Sequence, residues 1–302
     1  MTKPAMVRVK APTELRNPRT LQIDAVDTLT TLRLINAEDA LVAGTVEKVL
    51  PELARLVDVA VEKVRAGGRV HYFGAGTSGR LEVLDAAEIV PTFNADPSLV
   101  VGHHAGGHEA LVRAVENVED SEEAGAADAG EVTAADLVIG IAASGRTPYV
   151  GGALRQAASV GAATGLISCN PGASLAELVD VHVAPDTGAE AVAGSTRMKA
   201  GTATKLALNG FSTALMIRLG RTYSNLMVSV RATNSKLRGR LVTILNEATG
   251  EPDAACLAAL EAADGDLRTA LVTMLTGCTP AEAAQALTGE VGVREAVARI
   301  KG

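Results

Sequence analysis

A chain of 302 residues is long enough for about two domains, and its 47% hydrophobic and 21% charged residues are typical of globular proteins. These values exclude intrinsic disorder for most of the chain. The net charge of −7, the lack of a basic cluster and the absence of tryptophan disfavour nucleic acid as a partner. No apolar run approaches the roughly 18 residues of a membrane helix, so we expect no membrane partner either.

Three widely spaced cysteines, Cys169, Cys256 and Cys278, indicate a reducing compartment. They form no CxxC motif, and their odd number prevents complete pairing within the chain. No apolar region follows the basic residues near the N-terminus, so we expect no secretory signal and a cytoplasmic protein.

The N-terminal part is predicted to be an arm followed by helices. Residues 1–19 contain three prolines and are expected to be extended or mobile. A helix is expected over 21–35. From Glu38 to Ala66 the apolar residues recur at three- and four-residue steps, which predicts one long amphipathic helix with a kink at Pro51.

Short β-rich runs then alternate with helical ones. This alternation predicts a parallel sheet covered by helices on both faces, and ligands bind such sheets at the carboxyl ends of the strands. The predicted strands cover 69–73, 99–102, 137–142, 163–168 and 181–184. The predicted helices cover 78–87, 109–118, 148–160 and 174–179.

The rest of the chain is predicted to be helical. A long helix is expected over 198–219 and another over 226–237. Three short helical patterns follow, with breaks near Gly250, Gly265 and Thr279-Pro280, and predict a small bundle. The Ala/Gly/Asp-rich segment 124–130 is expected to be a surface loop.

These patterns divide the chain into three parts. Residues 1–66 form an arm with helices, 67–240 form the α/β domain that would bind the ligand, and 241–302 form a small helical domain. The long helices before and after the sheet present more apolar surface than one sheet face can cover, which predicts a homodimer.

The first predicted strand leads into a glycine-rich loop, Gly74 to Arg80, which matches GxGxxG before a helix. Thr77 and Ser78 add two hydroxyls beside Gly76, where the backbone N–H groups and the helix dipole favour an anion. This combination suits a terminal phosphate monoester better than a pyrophosphate. The alternative is a tight turn in which Ser78 only caps the helix.

A second loop with the same character follows the strand predicted over 137–142. It reads Ser144-Gly145-Arg146-Thr147 before Pro148, a residue well suited to the first helical turn. Two hydroxyl-bearing loops at neighbouring strand ends can hold one phosphate from both sides. A nicotinamide cofactor would not require the second loop, and the chain has no GxxxxGK[ST] motif for a nucleoside triphosphate.

Two glutamates are candidate acids or bases. Glu88 is flanked by apolar residues, which predicts a buried carboxyl that keeps its proton, as a general acid requires, unless it is a solvated helix end. Glu119 lies in the acidic run 116–123, and such a run is usually a solvated face.

Two further segments carry polar groups. His103, His104 and His108 surround two glycines that oppose a regular helix, so we expect surface or substrate-proximal histidines and no metal site. In the segment 188–202, Glu190 or Lys199 could hydrogen-bond sugar hydroxyls. In the same segment, Ser195 and Thr196 are either helix caps or ligand contacts.

Several blocks together resemble the N-acetylmuramic acid 6-phosphate etherases of the sugar isomerase (SIS) superfamily. They occur in family order, and their joint occurrence is far more specific than GxGxxG alone. The helical tail also resembles the small C-terminal domain of that family. The blocks are 13–18, 74–80, 84–88 with Pro91-Thr92, 100–107, 119–121, 140–149, 167–172, 195–202 and 225–228.

The resemblance implies an α/β, flavodoxin-like SIS sandwich with long flanking helices and a small C-terminal helical bundle. It implies release of D-lactate from N-acetylmuramic acid 6-phosphate in the recycling of cell-wall amino sugars, without a cofactor or metal. It places the two functional glutamates of the family on Glu88 and Glu119. The expected substrate-binding residues are Gly76, Thr77, Ser78, Ser144, Gly145, Arg146, Thr147, Glu190, Ser195 and Thr196.

Two alternatives share this architecture. One is a non-catalytic sugar-phosphate sensor of the glucokinase-regulator type, which need not keep both glutamates in a usable arrangement. The other is a sugar-phosphate isomerase, which would not free lactate. A lactate-release assay separates both from an etherase.

Overall fold

The computed structural model places the described residues in two compact units. The first unit runs to Ala86 and takes in Ser98–Phe211, and the second consists of Ala87–Pro97 and Ser212–Gly302. The division into 1–66, 67–240 and 241–302 stays a prediction, and most of the predicted N-terminal arm lies outside the described residues. The described residues are 11–113, 115, 117–230, 235–289 and 291–302.

A five-stranded, wholly parallel sheet forms the centre of the first unit, as predicted. The strand order is β2-β1-β3-β4-β5, the flavodoxin-like order. The chain leaves β1 toward one edge and returns to β3 on the other side, so the loops after β1 and β3 meet at the switch point where ligands bind. The strands are β1 Val70–Gly74, β2 Val100–His104, β3 Leu137–Ile141, β4 Ala163–Ile167 and β5 Val181–Val183.

The helices before the sheet differ from the prediction. The first, α1, covers Thr28–Asp39 instead of 21–35, because Asp27 accepts a hydrogen bond from the Thr30 amide and caps it. The predicted long helix is two helices, α2 (Val42–Glu47) and α3 (Leu50–Arg65). Pro51 lies in the first turn of α3, where its missing N–H costs nothing, so it begins a helix and kinks none.

Helices cover both faces of the sheet. On one face, α3 packs through Leu56, and Tyr72 of β1 contacts Asp85 and Phe211 of two further helices. On the other face, Phe73 packs against Tyr149 in a core of buried alanine, valine and leucine. These helices are α4 Gly76–Phe93, α5 Gly107–Val112, α6 Glu122–Asp128, α7 Pro148–Ser159 and α8 Lys199–Arg218.

Segment 124–130 is not the predicted loop. Ser121 caps α6 by accepting a bond from the Ala124 amide, and Gly125 lets α6 approach the backbone of Tyr149. The helix predicted over 109–118 is also shorter in the structure, where α5 covers Gly107–Val112.

Within the described residues, the second unit contains the ends of α4 and α8, a short antiparallel hairpin and five further helices. The hairpin pairs β6 (Thr222–Tyr223) with β7 (Leu226–Met227), so the helix predicted over 226–237 is wrong at its start. Ser224 turns the chain with a φ of 53°. The predicted breaks near Gly250, Gly265 and Thr279 are confirmed. The helices are α9 Ser235–Thr249, α10 Asp253–Ala262, α11 Leu267–Thr276, α12 Pro280–Ala286 and α13 Val293–Lys301.

In the described part of the chain, no helix combines the length and the apolar character needed to cross a membrane.

Candidate active site

A cavity of about 220 Å³ lies beside the loops that follow β1 and β3. It brings together seven of the residues predicted for the site, Gly76, Thr77, Ser78, Glu119, Ser144, Thr147 and Thr196. It also contains a carboxylate that was not predicted, Glu14. The remaining lining residues are Ala75, Ala142, Ala143, Gly201 and Thr204.

Three hydroxyl groups in this cavity are uncommitted. Within the described residues, no protein group forms a hydrogen bond with the hydroxyls of Thr77, Ser78 and Ser144. Hydroxyls elsewhere at the sheet are used internally, since Thr164 bonds to the Asp180 carboxylate at 3.0 Å and Ser168 to a carbonyl at 3.1 Å. Free hydroxyls at a helix N-terminus are available to an anionic ligand.

Close packing fixes the first loop. α4 begins directly after β1, and Gly79 lies so near Gly74 that a Cβ on Gly79 would collide with the Gly74 carbonyl and the His104 ring. The His104 ring lies between the carbonyl oxygens of Ala105, at 2.8 Å, and Gly76, at 3.3 Å. His104 therefore braces the loop from β2 and does not line the cavity.

The second loop is fixed by the neighbouring strand ends. Asn170 donates through Nδ2 to the Ser144 carbonyl at 3.0 Å, and the Cys169 amide donates to the Ala143 carbonyl at 2.9 Å. Gly145 has a φ of 66° and packs against Ala173, so it shapes the loop but does not line the cavity. Arg146 is exposed and also lies outside the lining.

Glu119 lies on a short 3₁₀ helix, Val118–Asp120, and its exposed carboxylate lines the cavity. Two contacts bring it there. Arg80 of α4 donates to the carbonyls of Leu111 and Ala110, both at 2.7 Å, and so holds the segment that precedes it. The Ser121 cap of α6 follows immediately. Of the acidic run 116–123, only Glu119 lines the cavity among the described residues.

Glu88 does not line this cavity. Its side chain is exposed near the C-terminal end of α4, in the part of the helix that belongs to the second unit. The burial predicted from its apolar neighbours is therefore wrong for the single chain. An apolar neighbour does not make Glu88 buried, because the next residue, Ile89, is buried while the Glu88 side chain is exposed.

Glu190, which was predicted as a sugar contact, caps a helix and is not among the residues that line the cavity. The sugar contact stays a prediction. Glu190 is fully buried, and its two oxygens accept hydrogen bonds from the amides of Lys199, at 3.0 Å, and Ala200, at 2.9 Å. Burial raises the pKa of Glu190, and the two amide bonds oppose that effect. Ser195, also predicted as a contact, lies outside the cavity lining.

A buried ion pair supports the same helix end. Lys199 donates to Glu38 at 2.7 Å, and Arg19 pairs with the same carboxylate. The hydrogen bond from Arg19, aided by that from Lys199, holds the pKa of Glu38 at about 2 against the effect of burial. The buried charges are therefore mutually satisfied.

Residues 13–20, which we call the N-terminal strap, close one side of the cavity. Asn17 donates to the Ala189 carbonyl at 3.2 Å and Thr20 to the Ala191 carbonyl at 2.8 Å, while the Gly194 amide donates to the Thr13 carbonyl at 3.1 Å. These bonds place Glu14 in the cavity. Its only sequence signal was the resemblance block 13–18, because nothing local marks one exposed glutamate as a ligand contact.

The other histidines lie away from the cavity. His71 and His103 pair at 3.0 Å between their ring nitrogens, and His103 stacks on Phe73. Burial, together with the neighbouring His103, lowers the pKa of His71 to about 4. His108 is exposed. The described residues contain no group of histidine, cysteine or carboxylate side chains arranged to hold a metal ion.

A larger cavity, of about 780 Å³, lies in the second unit. Its lining combines three leucines with charged residues and a glycine, namely Leu241, Leu257, Leu260, Arg238, Glu261, Asp264, Asp266 and Gly265. It contains none of the predicted site residues and no arrangement of hydroxyls that resembles the loops after β1 and β3.

The sequence is closely similar to proteins named N-acetylmuramic acid 6-phosphate etherase. The protein of that name from Thermobifida fusca (strain YX) is 61% identical over 268 residues, which cover 89% of this chain and 88% of the relative. The one from Klebsiella aerogenes is 48% identical over 94% of this chain and 96% of its own length. The chain belongs to the N-acetylmuramic acid 6-phosphate etherase family.

Two broader comparisons agree with this assignment. Residues 52–158 match the family described as glucokinase regulatory protein N-terminal SIS domain, so this chain contains a SIS domain. A phosphoheptose isomerase structure from Francisella tularensis superposes with a TM-score of 0.50 at 16% identity, covering 62% of this chain and 98% of that one. This second likeness shows the shared fold.

Proposed function

We propose that this protein cleaves the lactyl ether of N-acetylmuramic acid 6-phosphate to give N-acetylglucosamine 6-phosphate and D-lactate. The observation that carries the proposal is the cavity at the β1/β3 switch point, where uncommitted hydroxyls from two loops line the same space as Glu119, in a chain of the etherase family. The reaction would serve the recycling of cell-wall amino sugars.

The 6-phosphate would bind between the two loops. Thr77 and Ser78 at the start of α4, and Ser144 and Thr147 before α7, provide hydroxyl donors, and the helix N-termini provide amides. No lysine or arginine lines the cavity among the described residues, so these neutral donors would carry the recognition. Binding the phosphate fixes the reacting carbons of the open-chain sugar relative to the carboxylates.

Proton transfers account for the chemistry. The aldehyde of the open-chain sugar acidifies the proton on C2, and Glu119 would remove it as the general base. The lactyl oxygen on C3 leaves only when protonated, a role that we assign to Glu88. Elimination gives an unsaturated aldehyde, and addition of water at C3 completes the reaction. Acid and base suffice for every step.

We also propose that the protein acts as a homodimer. The cavity of about 220 Å³ is smaller than the roughly 300–1,000 Å³ usual for ligand pockets, and Glu88 is not among its lining residues. A second copy would supply the missing surface and cover the exposed leucines of the N-terminal helices. The three free cysteines, of which Cys169 and Cys256 are buried, support a reducing, cytoplasmic location.

The test is incubation with N-acetylmuramic acid 6-phosphate and enzymatic detection of D-lactate, with deuterium incorporation at C2 followed by NMR. We expect Glu119→Gln to lose both lactate release and C2 exchange. We expect Glu88→Gln to lose roughly 10²–10⁴-fold in turnover while C2 exchange continues, because deprotonation does not need the leaving-group acid.

Other outcomes have distinct meanings. Exchange that survives in Glu119→Gln and vanishes in Glu88→Gln would reverse the two roles. Sugar-phosphate binding without any lactate release by the unaltered protein would favour the sensor, and aldose–ketose interconversion would favour the isomerase.

A further inference from the structure

We infer that Glu14 is a substrate-binding residue whose carboxylate accepts hydrogen bonds from hydroxyl groups of the sugar. It would bind the part of the substrate that extends from the phosphate toward Gly194 and Thr196. This inference rests on the proposed sugar-phosphate substrate and names a specificity-determining contact that the two glutamates assigned to catalysis do not provide.

The position of Glu14 is fixed by buried backbone. Thr13, immediately before it, is fully buried, and its carbonyl accepts the Gly194 amide at 3.1 Å. Asn17, on the other side, is almost fully buried and anchored to the 189–191 loop. The Glu14 carboxylate itself lies against Gly194, since a Cβ on that glycine would be 3.2 Å from Glu14 Oε2. An exposed side chain is thus held at the cavity by a well-anchored main chain.

The Glu14 carboxylate is also uncommitted. Among the residues that the structure describes, none donates a hydrogen bond to it or pairs with it. The two neighbouring carboxylates behave differently, because Glu38 is paired with Lys199 and Glu190 caps α8. The fold therefore uses Glu38 and Glu190 internally and leaves Glu14 available to a ligand.

The charge of Glu14 limits what it can bind. A carboxylate in a cavity for a phosphate dianion repels the ligand's anionic end, so it disfavours inorganic phosphate and other compact anions. A carboxylate only accepts hydrogen bonds, and the donors that an amino-sugar phosphate offers are its hydroxyls and its amide N–H. Glu14 would thus select a phosphate that carries a hydroxylated chain, with Thr196, which lines the same cavity, as a second partner.

The experiment compares two ligands by calorimetry in the full-length protein. N-acetylglucosamine 6-phosphate probes the whole site, and inorganic phosphate probes its anion end alone. We expect Glu14→Gln to weaken binding of the sugar phosphate roughly tenfold, because a hydrogen bond to a charged acceptor becomes one to a neutral acceptor. Binding of inorganic phosphate should stay the same or tighten, because a negative charge is removed.

Two further variants calibrate the comparison. Ser78→Ala should weaken the binding of both ligands. Glu52→Gln, at an exposed position of α3, should leave the binding of both unchanged. In lactate release, Glu14→Gln should raise KM with a smaller effect on kcat. Failure of the proposed function is seen separately, as an unaltered protein that binds the sugar phosphate and frees no lactate.

Three results would overturn the inference. Equal weakening of both ligands by Glu14→Gln would mean that Glu14 only positions the 194–196 loop. Unchanged binding of both would mean that Glu14 is solvated. A loss of kcat of more than about 100-fold with KM unchanged would make Glu14 a proton carrier and not a binding group.

Discussion

At the scale of single residues, phosphate binding depends on hydroxyl groups that form no hydrogen bond within the protein. We expect Ser78→Ala and Ser144→Ala each to weaken sugar 6-phosphate binding by about 1.5–3 kcal/mol, the usual contribution of a hydrogen bond to a charged group. Calorimetric titration with N-acetylglucosamine 6-phosphate measures the loss.

Ser159→Ala is the matched control, since Ser159 is exposed and lies at the last residue of α7, at the end of that helix away from the second loop. If both cavity variants bound as tightly as the control, the phosphate would not lie between the two loops.

Glu82 is a buried carboxyl on α4 that the proposed reaction does not use. It has no exposed surface, and neither of its oxygens has a hydrogen-bond partner within the described residues. Burial raises its pKa well above the usual range, and the nearby backbone of Gly74 offsets only part of that effect. The folded protein therefore keeps the Glu82 proton at a pH where the unfolded chain has released it.

This difference predicts the pH dependence of stability. Above the unfolded glutamate pKa of about 4.3, the folded state binds more protons at this site, so the free energy of unfolding falls as pH rises, by up to about 1.4 kcal/mol per pH unit. We expect Glu82→Gln, which carries no charge at any pH, to remove that slope. Urea unfolding of both proteins from pH 5 to pH 8 checks this, with the exposed Glu62→Gln as control. Parallel pH profiles would contradict it.

At the residue scale, the sequence predicted which side chains form the phosphate loops better than it predicted how buried each side chain is. The pattern of glycines and hydroxyl residues identified Thr77, Ser78, Ser144 and Thr147. This worked because such a loop is formed by residues that are close together in the sequence. The burial of Glu88 was misjudged, and nothing in the sequence marked Glu190 as a buried helix cap. Burial depends on which helix or loop packs nearby, and neither the apolar neighbours of Glu88 nor the polar neighbours of Glu190 contain that information.

At the scale of elements, the N-terminal end of α8 depends on a carboxylate that precedes it by nine residues. We expect Glu190→Gln to lower the free energy of unfolding by about 1–3 kcal/mol, because an amide oxygen can accept from only one of the two buried amides on that side. Thr196, which lines the cavity just before α8, should lose its position, so sugar-phosphate binding should weaken as well.

Chemical denaturation and calorimetry measure the two effects of Glu190→Gln. Glu177→Gln, at an exposed glutamate, is the control. Unaltered stability together with weaker binding would instead mean that Glu190 contacts the ligand directly.

The strands were the most predictable elements, because short apolar runs bounded by glycine and polar residues occur in a fully buried parallel sheet. The failures have tertiary causes. Helix α6 forms where composition indicated a loop, because Gly125 allows it to pack closely on α7. The helix predicted from Leu226 fails at its first two residues, because the turn at Ser224, with its positive φ, pairs them with Thr222 and Tyr223. The spacing of apolar residues along the chain shows neither a close approach between two helices nor a residue with a positive φ.

At the scale of the whole molecule, exposed leucines on the N-terminal helices support association. Leu29 and Leu32 share one face of α1 and are 55% and 58% exposed, and Leu41 and Leu50 are about half exposed. We expect light scattering at micromolar concentration to give twice the mass of the 30.8 kDa chain. Leu29→Asp combined with Leu32→Asp should shift the mass toward one chain and reduce lactate release. A monomer with full activity would refute the dimer.

The N-terminal strap joins residues that are far apart in the chain. Asn17 and Ala189 are 172 positions apart, and Thr20 and Ala191 are 171 apart. On the ribosome, the strap is made before the loop around Ala189 and has no docking partner until that loop has left the exit tunnel. At roughly 5–20 residues per second this delay is about 10–30 seconds. The cavity is thus unfinished through most of synthesis, and a nascent chain released before that loop would contain the first phosphate loop without the strap bonds that carry Glu14.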